Sequence, residues 1–199
     1  MRLQILRFGS PVLRAKGRRI EQVDDRIRQL TADMLETMHA ANGVGLAAQQ
    51  VGEALQLAVV DVSNVEDRPS TLKLNGETTD PKAASPLVLI NPDIELGLAT
   101  STGLEGCLSF PEITGEIERA ETVRARAQTL DGSSIELEAT GLLAVVLQHE
   151  IDHLNGILFI DRMNSAAKAA LASRLKKMQK ETERGLRKKR RTLEPEVAL

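Results

Sequence analysis

Gln148-His149-Glu150-Ile151-Asp152-His153 continues an apolar run over 141–147, and together the two segments have the pattern of a buried helix. Residues four apart lie on one helix face, so His149 and His153 can direct their imidazoles at one point. Glu150 follows the first histidine, where its carboxylate can take a proton from a metal-bound water. A chance match on an exposed helix is the alternative. Because imidazoles on a buried face are costly without a partner, the pattern favours a metal-binding helix.

A third candidate ligand lies upstream, in Glu105-Gly106-Cys107-Leu108-Ser109, which contains the one cysteine of the chain. Most lone cysteines are small buried hydrophobic residues, and that interpretation is open for Cys107. With His149 and His153, however, its thiolate completes a three-ligand set that leaves a fourth position for water or substrate. Catalytic metal sites have this arrangement.

Length and composition are typical of a soluble globular protein with one domain. The chain has 199 residues, 42% hydrophobic and 27% charged, with a net charge of -2. A lone cysteine forms no intramolecular disulfide, which favours a reducing compartment. Residues 1–7 lack the apolar run of a secretory signal, and no window is apolar enough to cross a bilayer. We therefore expect a cytoplasmic protein with no membrane partner.

The scarcity of aromatic residues argues against a DNA partner. They make up 2% of the chain, with no Trp or Tyr, so base stacking has almost nothing to work with. Positive charge is concentrated near the C terminus, in Arg187-Lys188-Lys189-Arg190-Arg191. This basic tail can contact ribosomal RNA, or it can be a solvated, disordered end, and both interpretations are open.

The periodicity predicts an α+β fold, with largely antiparallel strands packed around the buried metal-binding helix and with an N-terminal and a C-terminal helix. The predicted helices run from Asp24 to about Ala40, from Gly141 to Leu154, and from near Ser165. The first ends at Asn42-Gly43, because glycine accepts the left-handed conformation there. The predicted strands are Leu57–Val62, Leu87–Ile90 closed by Asn91-Pro92, Ile117–Leu130, and Ile135–Ala139 after a turn at Asp131-Gly132. Residues 64–86 are predicted to be a surface excursion with a small hairpin at Asn75-Gly76.

Three motifs in this order resemble the signatures of peptide deformylases, the metallohydrolases that remove the N-formyl group from nascent polypeptides. The first is Gly43-Val44-Gly45-Leu46-Ala47-Ala48-Gln49-Gln50, a G-x-G-x-A-A-x-Q pattern. The second is Glu105–Ser109 and the third is Gln148–His153. The similarity runs from about Ile5 to Met163. It suggests a catalytic part over 1–163 and a C-terminal helix and basic tail over 164–199, with the helix up to about residue 185 in the same domain.

The resemblance implies that Cys107, His149 and His153 hold one divalent metal ion. The native metal of the family is typically Fe²⁺, and Zn²⁺, Ni²⁺ or Co²⁺ can occupy the same ligands, because the ligand types alone do not select one metal. Glu150 is then the general base that deprotonates the metal-bound water, and later the acid that protonates the leaving amine.

The resemblance also assigns the stabilisation of the tetrahedral oxyanion to the side chain of Gln50 and the backbone N–H of Leu108. Gln49 is the neighbouring candidate, and its alternative interpretation is a solvent-facing loop residue. Residues implied to bind the formylmethionine substrate are Val44, Leu142, Val145 and Val146, around its side chain, and Gly45, whose backbone can approach the peptide closely. Core packing is the open alternative for the four apolar residues.

Two departures from the family pattern concern the rim of the cleft. Residues 110–116 lack the Arg that many bacterial relatives carry for peptide contact. The excursion over 64–86 is longer than in compact relatives.

Two rival functions are weaker. A zinc metallopeptidase needs a further Glu or His ligand, and His39 is expected instead at the end of a helix, near the negative pole of its dipole. A catalytically silent relative with a peptide- or ribosome-binding role is expected to lack a ligand, Gln50 or Glu150, and all are present.

Overall fold

The computed structural model describes residues 1–193, with side chains described as far as residue 188. Its helices are α1 (Asp25–Ala40), α2 (Pro81–Ala84), α3 (Gly141–Leu154), α4 (Phe159–Arg162) and α5 (Ser165–Leu193). Its strands are β1 (Gly45–Ala47), β2 (Leu57–Val60), β3 (Ser70–Leu74), β4 (Glu77–Thr79), β5 (Leu87–Leu96), β6 (Thr100–Gly106), β7 (Thr114–Ala120), β8 (Thr122–Gln128) and β9 (Ser134–Thr140). Short 3₁₀ turns cover Pro11–Arg14 and Ala48–Val51.

The strands form one large sheet and one separate hairpin. The large sheet has the order β1-β2-β5-β8-β9-β3-β4, and each neighbouring pair is antiparallel. β6 pairs only with β7, also antiparallel. Apolar side chains of α3, among them Leu143 and Leu147, pack with sheet residues such as Val123 and Leu137 in one core cluster. The predicted α+β fold around a buried helix is thereby confirmed.

Helix α1 begins at Asp25, close to the predicted start. Asp24 caps it, because its side chain accepts a hydrogen bond from the Ile27 N–H (2.9 Å). Met34 and Met38 are fully buried and pack against the sheet. The predicted role of glycine at the end of this helix was wrong. Asn42 takes the left-handed conformation (φ 54°), whereas Gly43 does not. Asparagine tolerates this conformation better than most residues.

Two strand predictions need correction. The segment Ile117–Leu130 is not one strand, because β7 ends at Ala120 and β8 begins at Thr122 in the other sheet. Asn91-Pro92 does not close β5, which continues to Leu96 after a register shift. Asn91 (φ 52°) makes this bulge, and its side chain hydrogen-bonds to both the N–H and the carbonyl of Ile20 (2.8 and 2.7 Å). The predicted hairpin at Asp131-Gly132 is confirmed as the β8–β9 connection.

The excursion over 64–86 is more than a surface feature. Its predicted hairpin at Asn75-Gly76 is confirmed as the β3–β4 turn, but β3 also pairs with β9 in the large sheet. Leu72 of β3 is 1% exposed and belongs to the same core as α3. Ser70 accepts a hydrogen bond at Oγ from the Leu143 N–H (2.9 Å), so the excursion caps the first turn of α3.

Helix α5 begins at Ser165, as predicted, and packs over the N-terminal segment. Leu175 is buried, with Leu171 and Met178 beside it, in a cluster that includes all three phenylalanines of the chain. The sequence also predicts a frayed tail over 193–199, but residues 194–199 lie outside the described part of the chain, as do the side chains of residues 189–191 in the basic tail. The division of the chain at about residue 163 stays a prediction.

Within residues 1–193, no helix combines the length and the apolar character needed to cross a membrane.

The start of α3 generates a prediction about stability. Gly141 has a positive φ (65°), and a Cβ there would overlap the carbonyl oxygen of Pro69. Gly76 also has a positive φ (86°) but has open space around it. Gly76→Ala should lower the free energy of unfolding by about 1–2 kcal/mol, the cost of the left-handed conformation. Gly141→Ala should lower it by about twice as much or more, because the Pro69 backbone must also move.

Urea unfolding of both variants at one metal content measures the difference. Equal losses of stability in Gly141→Ala and Gly76→Ala would contradict the close packing of Pro69 on α3.

Candidate metal centre and active-site cleft

Cys107, His149 and His153 meet in one place. Each offers one ligand atom, and these atoms lie within 4.8 Å of one another. The Cys107 Sγ is 3.2 Å from Nε2 of His153. The histidines stand one turn apart on α3, and the cysteine directly follows β6, a strand that sequence analysis did not predict. The arrangement therefore depends on how the β6–β7 hairpin packs against α3.

The imidazole of His149 is oriented by a carboxylate. Its Nδ1–H donates to Oε2 of Glu105 (2.9 Å), which leaves Nε2 available for a metal ion. Burial by itself raises the pKa of Glu105, but the hydrogen bonds from His149 and Arg119 outweigh it and lower the pKa to about 2. Glu105 is thus charged over the whole physiological pH range. One thiolate and two imidazoles, one of them held by a carboxylate, form a donor set suited to a divalent transition metal.

A buried arginine links the second and third motifs. Arg119 is 5% exposed, and its Nε donates to Glu105 Oε1 (2.8 Å) while its Nη1 donates to Asp152 Oδ2 (2.6 Å). Arg162 closes the network from outside, since its Nη2 donates to Asp152 Oδ1 (2.6 Å). Arg119 was not predicted as a site residue, because an arginine in an alternating strand is usually solvent-facing. Its position two residues after the apolar Ile117, on the same face, was the available signal.

Gln148 joins α3 to β7 through two hydrogen bonds, a role that was not predicted. Its side chain accepts from the Ala120 N–H (3.0 Å) and donates to the Ala120 carbonyl (2.9 Å). Hydrogen bonds of this kind fix the helix relative to the strand that carries Arg119.

Glu150 lies buried beside the three candidate ligands. It is 3% exposed, and its Oε2 has no hydrogen-bond partner among the described residues. Burial disfavours the charged form and raises the pKa of Glu150 to about 7. Gly45 lies directly against its other oxygen, since a Cβ at Gly45 would overlap Oε1. A carboxyl group with such a pKa can both accept and donate a proton near neutral pH.

Gln50 is buried, and its amide is directed at the site. Its Oε1 accepts from the Ala47 N–H (2.8 Å), which leaves Nε2 facing Cys107 Sγ (3.5 Å) and Ser109 Oγ (3.3 Å). The alternative of a solvent-facing Gln49 was wrong: this side chain is fully buried, and its Nε2 donates to the Leu154 carbonyl (3.3 Å). Ser109, which belongs to the second motif, is a further neighbour of Gln50, and no role was predicted for it.

A cleft of about 560 Å³ opens onto these side chains. Its walls include the five residues predicted to bind substrate, together with Cys107, Leu108, His149, Glu150 and Gln50. Leu142 and Val146 are also members of the core cluster, so core packing and cleft lining both describe them. Their apolar side chains give the cleft a surface suited to an aliphatic group.

His39 lies elsewhere, as predicted. It occupies the last turn of α1 and its Nε2 contacts Asp61 Oδ2 (2.8 Å). Over the part of the chain that the structure describes, the candidate ligand cluster contains only Cys107, His149 and His153. A third histidine ligand of the kind found in some zinc peptidases is therefore not supplied by His39.

The model of the polypeptide deformylase family matches residues 2–169. This chain belongs to that family. Peptide deformylase of Opitutus terrae is 42% identical to it over 184 residues, which are 92% of this chain and 95% of that protein. The crystal structure of peptide deformylase from Thermotoga maritima has a TM-score of 0.71 and 39% identity, and covers 82% of this chain and 99% of its own. A variant of Arabidopsis thaliana peptide deformylase 1B has a TM-score of 0.80 and 31% identity, with coverages of 92% and 94%. The fold is thus that of peptide deformylases.

The contact between Gly45 and Glu150 generates a prediction about activity. In Gly45→Ala the new Cβ must displace the carboxylate of Glu150, and a misplacement of about 1 Å can cost about 10²-fold in turnover. Gly103→Ala on β6 is the matched control, since nothing lies within 4 Å of a Cβ there. The measurement is release of formate from a formylmethionyl peptide at equal metal content. Full activity in Gly45→Ala would show that the carboxylate does not need this position.

Proposed function

We propose that this deformylase-family enzyme hydrolyses the formyl amide of N-formylmethionyl polypeptides and releases formate, using one divalent ion held by Cys107, His149 and His153. The observation that carries the proposal is the buried Glu150 beside this ligand cluster, within a cleft of apolar walls. Membership of the family favours this activity over a zinc metallopeptidase. A catalytically silent relative is disfavoured because every side chain that the reaction needs is present.

The donor set supports a transition metal but does not select one. A divalent ion bound there supplies Lewis acidity, which lowers the pKa of water and polarises a carbonyl group. Fe²⁺ is the native ion that we propose, on the resemblance to the family, and Zn²⁺, Ni²⁺ or Co²⁺ suit the same ligands. Glu105 keeps His149 in the tautomer that presents Nε2.

Glu150 moves the proton in this proposal. It accepts a proton from the attacking water, and it returns that proton to the amine that leaves when the C–N bond breaks. Its pKa of about 7 suits both steps, because the same group must be a base first and an acid afterwards. No hydrogen bond from the described residues holds this carboxyl group, which leaves it free for both steps.

Two donors stabilise the oxyanion, which forms on the formyl oxygen when water attacks the formyl carbon. The Nε2 of Gln50 is held towards Cys107 because its Oε1 is bound to the Ala47 N–H. The backbone N–H of Leu108 is the second donor, at the start of the loop that follows β6. Each donor of this kind contributes about 10²–10³-fold to the rate.

The side chain of the substrate methionine packs against Val44, Leu142, Val145 and Val146, and its backbone passes Gly45. All five line the cleft beside Glu150. An unbranched thioether fits an apolar pocket of this kind without requiring a polar partner.

Two features of the cellular setting remain proposals. A cytoplasmic location suits an enzyme that acts on nascent polypeptides. Contact with the ribosome through the basic tail, Arg187–Arg191, suits the same role, and Arg187 is exposed on α5. The side chains of residues 189–191 lie outside the described part of the chain.

The role of Glu150 is tested with protein prepared anaerobically and loaded with Fe²⁺ or Ni²⁺. Glu150→Gln keeps the size of the side chain but removes the base, so formate release from formyl-Met-Ala-Ser should fall by about 10²–10⁴-fold. Glu118→Gln, on the exposed face of β7, is the matched control and should retain full activity. Metal content is measured in every sample.

Two outcomes would contradict the proposal. A wild-type protein with a full complement of metal and no formate release would overturn the activity. Undiminished release by Glu150→Gln would overturn the proton-transfer role.

A further inference from the structure

Phe110-Pro111-Glu112-Ile113 forms a tight turn in the loop that follows Cys107. The Ile113 N–H donates to the Phe110 carbonyl (3.1 Å), and Glu112 has a positive φ (59°). Proline at the second position and a positive φ at the third are typical of a type II turn, in which the third residue is usually glycine or asparagine. Glutamate at that position strains the backbone, and such strain persists only where other contacts hold it.

The strained turn is a wall of the active-site cleft. Pro111, Glu112 and Ile113 line the cleft on one side. The same three residues line a groove of about 320 Å³ on the other side, between the turn and α5. The turn therefore separates the cleft from this groove.

Packing holds only part of this wall. Phe110 and Ile113 are buried, and they belong to the same apolar cluster as Leu175 of α5. Pro111 and Glu112, the two central residues of the turn, are exposed. Their conformation must therefore be held by something other than apolar contacts.

Arg174 of α5 supplies that contact. Its Nη2 donates a hydrogen bond to the Glu112 carbonyl (2.8 Å), and its side chain lines the groove behind the turn. Among the described residues, this is the one hydrogen bond that joins Glu112 to another element. A charged donor on a carbonyl stabilises the conformation that presents this carbonyl to it.

We propose that Arg174 is a positioning residue for the active-site cleft, because its hydrogen bond to Glu112 holds the wall in the conformation that binds the substrate. The inference rests on the proposed function and adds a residue of α5 to it. Only molecules with the correct wall bind the peptide, so a fall in their fraction raises KM by the same factor. Once the peptide is bound the wall is in place, and kcat is unchanged.

The first test removes the donor. Arg174→Met keeps most of the length of the side chain, and its KM for formyl-Met-Ala-Ser should rise by about fivefold at equal metal content, with kcat within about twofold of wild type. Arg174→Lys keeps a charged donor and should recover most of the loss. Lys176→Met removes the same charge from an exposed position of α5 outside the cleft and the groove, and should leave KM unchanged.

A second variant separates relief of backbone strain from a general effect of charge or packing. In Glu112→Gly the positive φ has no steric cost, so the turn should keep its conformation without the arginine. Adding Arg174→Met to Glu112→Gly should then raise KM by less than about twofold, a non-additive result that shows the two residues act together.

Amide hydrogen exchange reports on the turn independently of activity. The Ile113 N–H closes the turn, so it exchanges when the turn opens. Its exchange should be about fivefold faster or more in Arg174→Met, and unchanged in Lys176→Met.

Three results would each overturn the inference and leave the proposed function standing. They are an unchanged KM in Arg174→Met, unchanged exchange of the Ile113 amide, and an equal rise in KM with and without Glu112→Gly. No formate release by metal-loaded wild type would overturn the proposed function itself, and with it the role of Arg174 in substrate binding.

Discussion

The site depends on one buried interaction, the pairing of Arg119 with Glu105 and Asp152. An unpaired charge in a protein interior is costly, so all three groups must find their partners for the fold to form. Glu105 directly precedes Gly106-Cys107 at the end of β6, and Asp152 directly precedes His153 on α3. Because Arg119 binds both carboxylates, the network closes only when the β6–β7 hairpin has docked on α3. The same docking brings the thiolate and the two imidazoles together.

This network also connects packing to chemistry. Glu105 uses one oxygen for both Arg119 and the Nδ1–H of His149, so the arginine that holds the hairpin also holds the imidazole in place. Glu150, one residue after His149 on the same helix, has no such partner at Oε2, and burial therefore raises its pKa instead of lowering it. The two neighbouring carboxyl groups thus differ in pKa. Glu105 is charged at physiological pH, whereas the pKa of Glu150 lies near neutral pH.

The sequence predicts the helix of the site better than its surroundings. The long apolar run before His149 indicates a buried helix, and α3 begins and ends at the predicted residues. The strand that leads to Cys107 was missed because Thr100-Ser101-Thr102-Gly103 carries no apolar alternation, and β6 is almost wholly exposed. Over Ile117–Leu130 the apolar residues are three apart as far as Val123 and then two apart as far as Ala127, and this change of spacing beside Glu121, where the chain changes sheet, was not used in the prediction. Arg119 and Ser70 form hydrogen bonds with residues distant in sequence, and the periodicity of apolar residues does not predict such contacts.

The central claim is that the buried network positions the metal ligands, and the affinity for Zn²⁺, measured by competition with a chelator, tests it most directly. Glu105→Gln keeps the size of the side chain but removes the charge that orients His149 and pairs with Arg119. The account predicts a loss of metal affinity of about 10–100-fold in the folded Glu105→Gln protein. Arg162→Met, which removes only the outer, 44% exposed partner of Asp152, should change the affinity little. Wild-type affinity in folded Glu105→Gln would contradict the account.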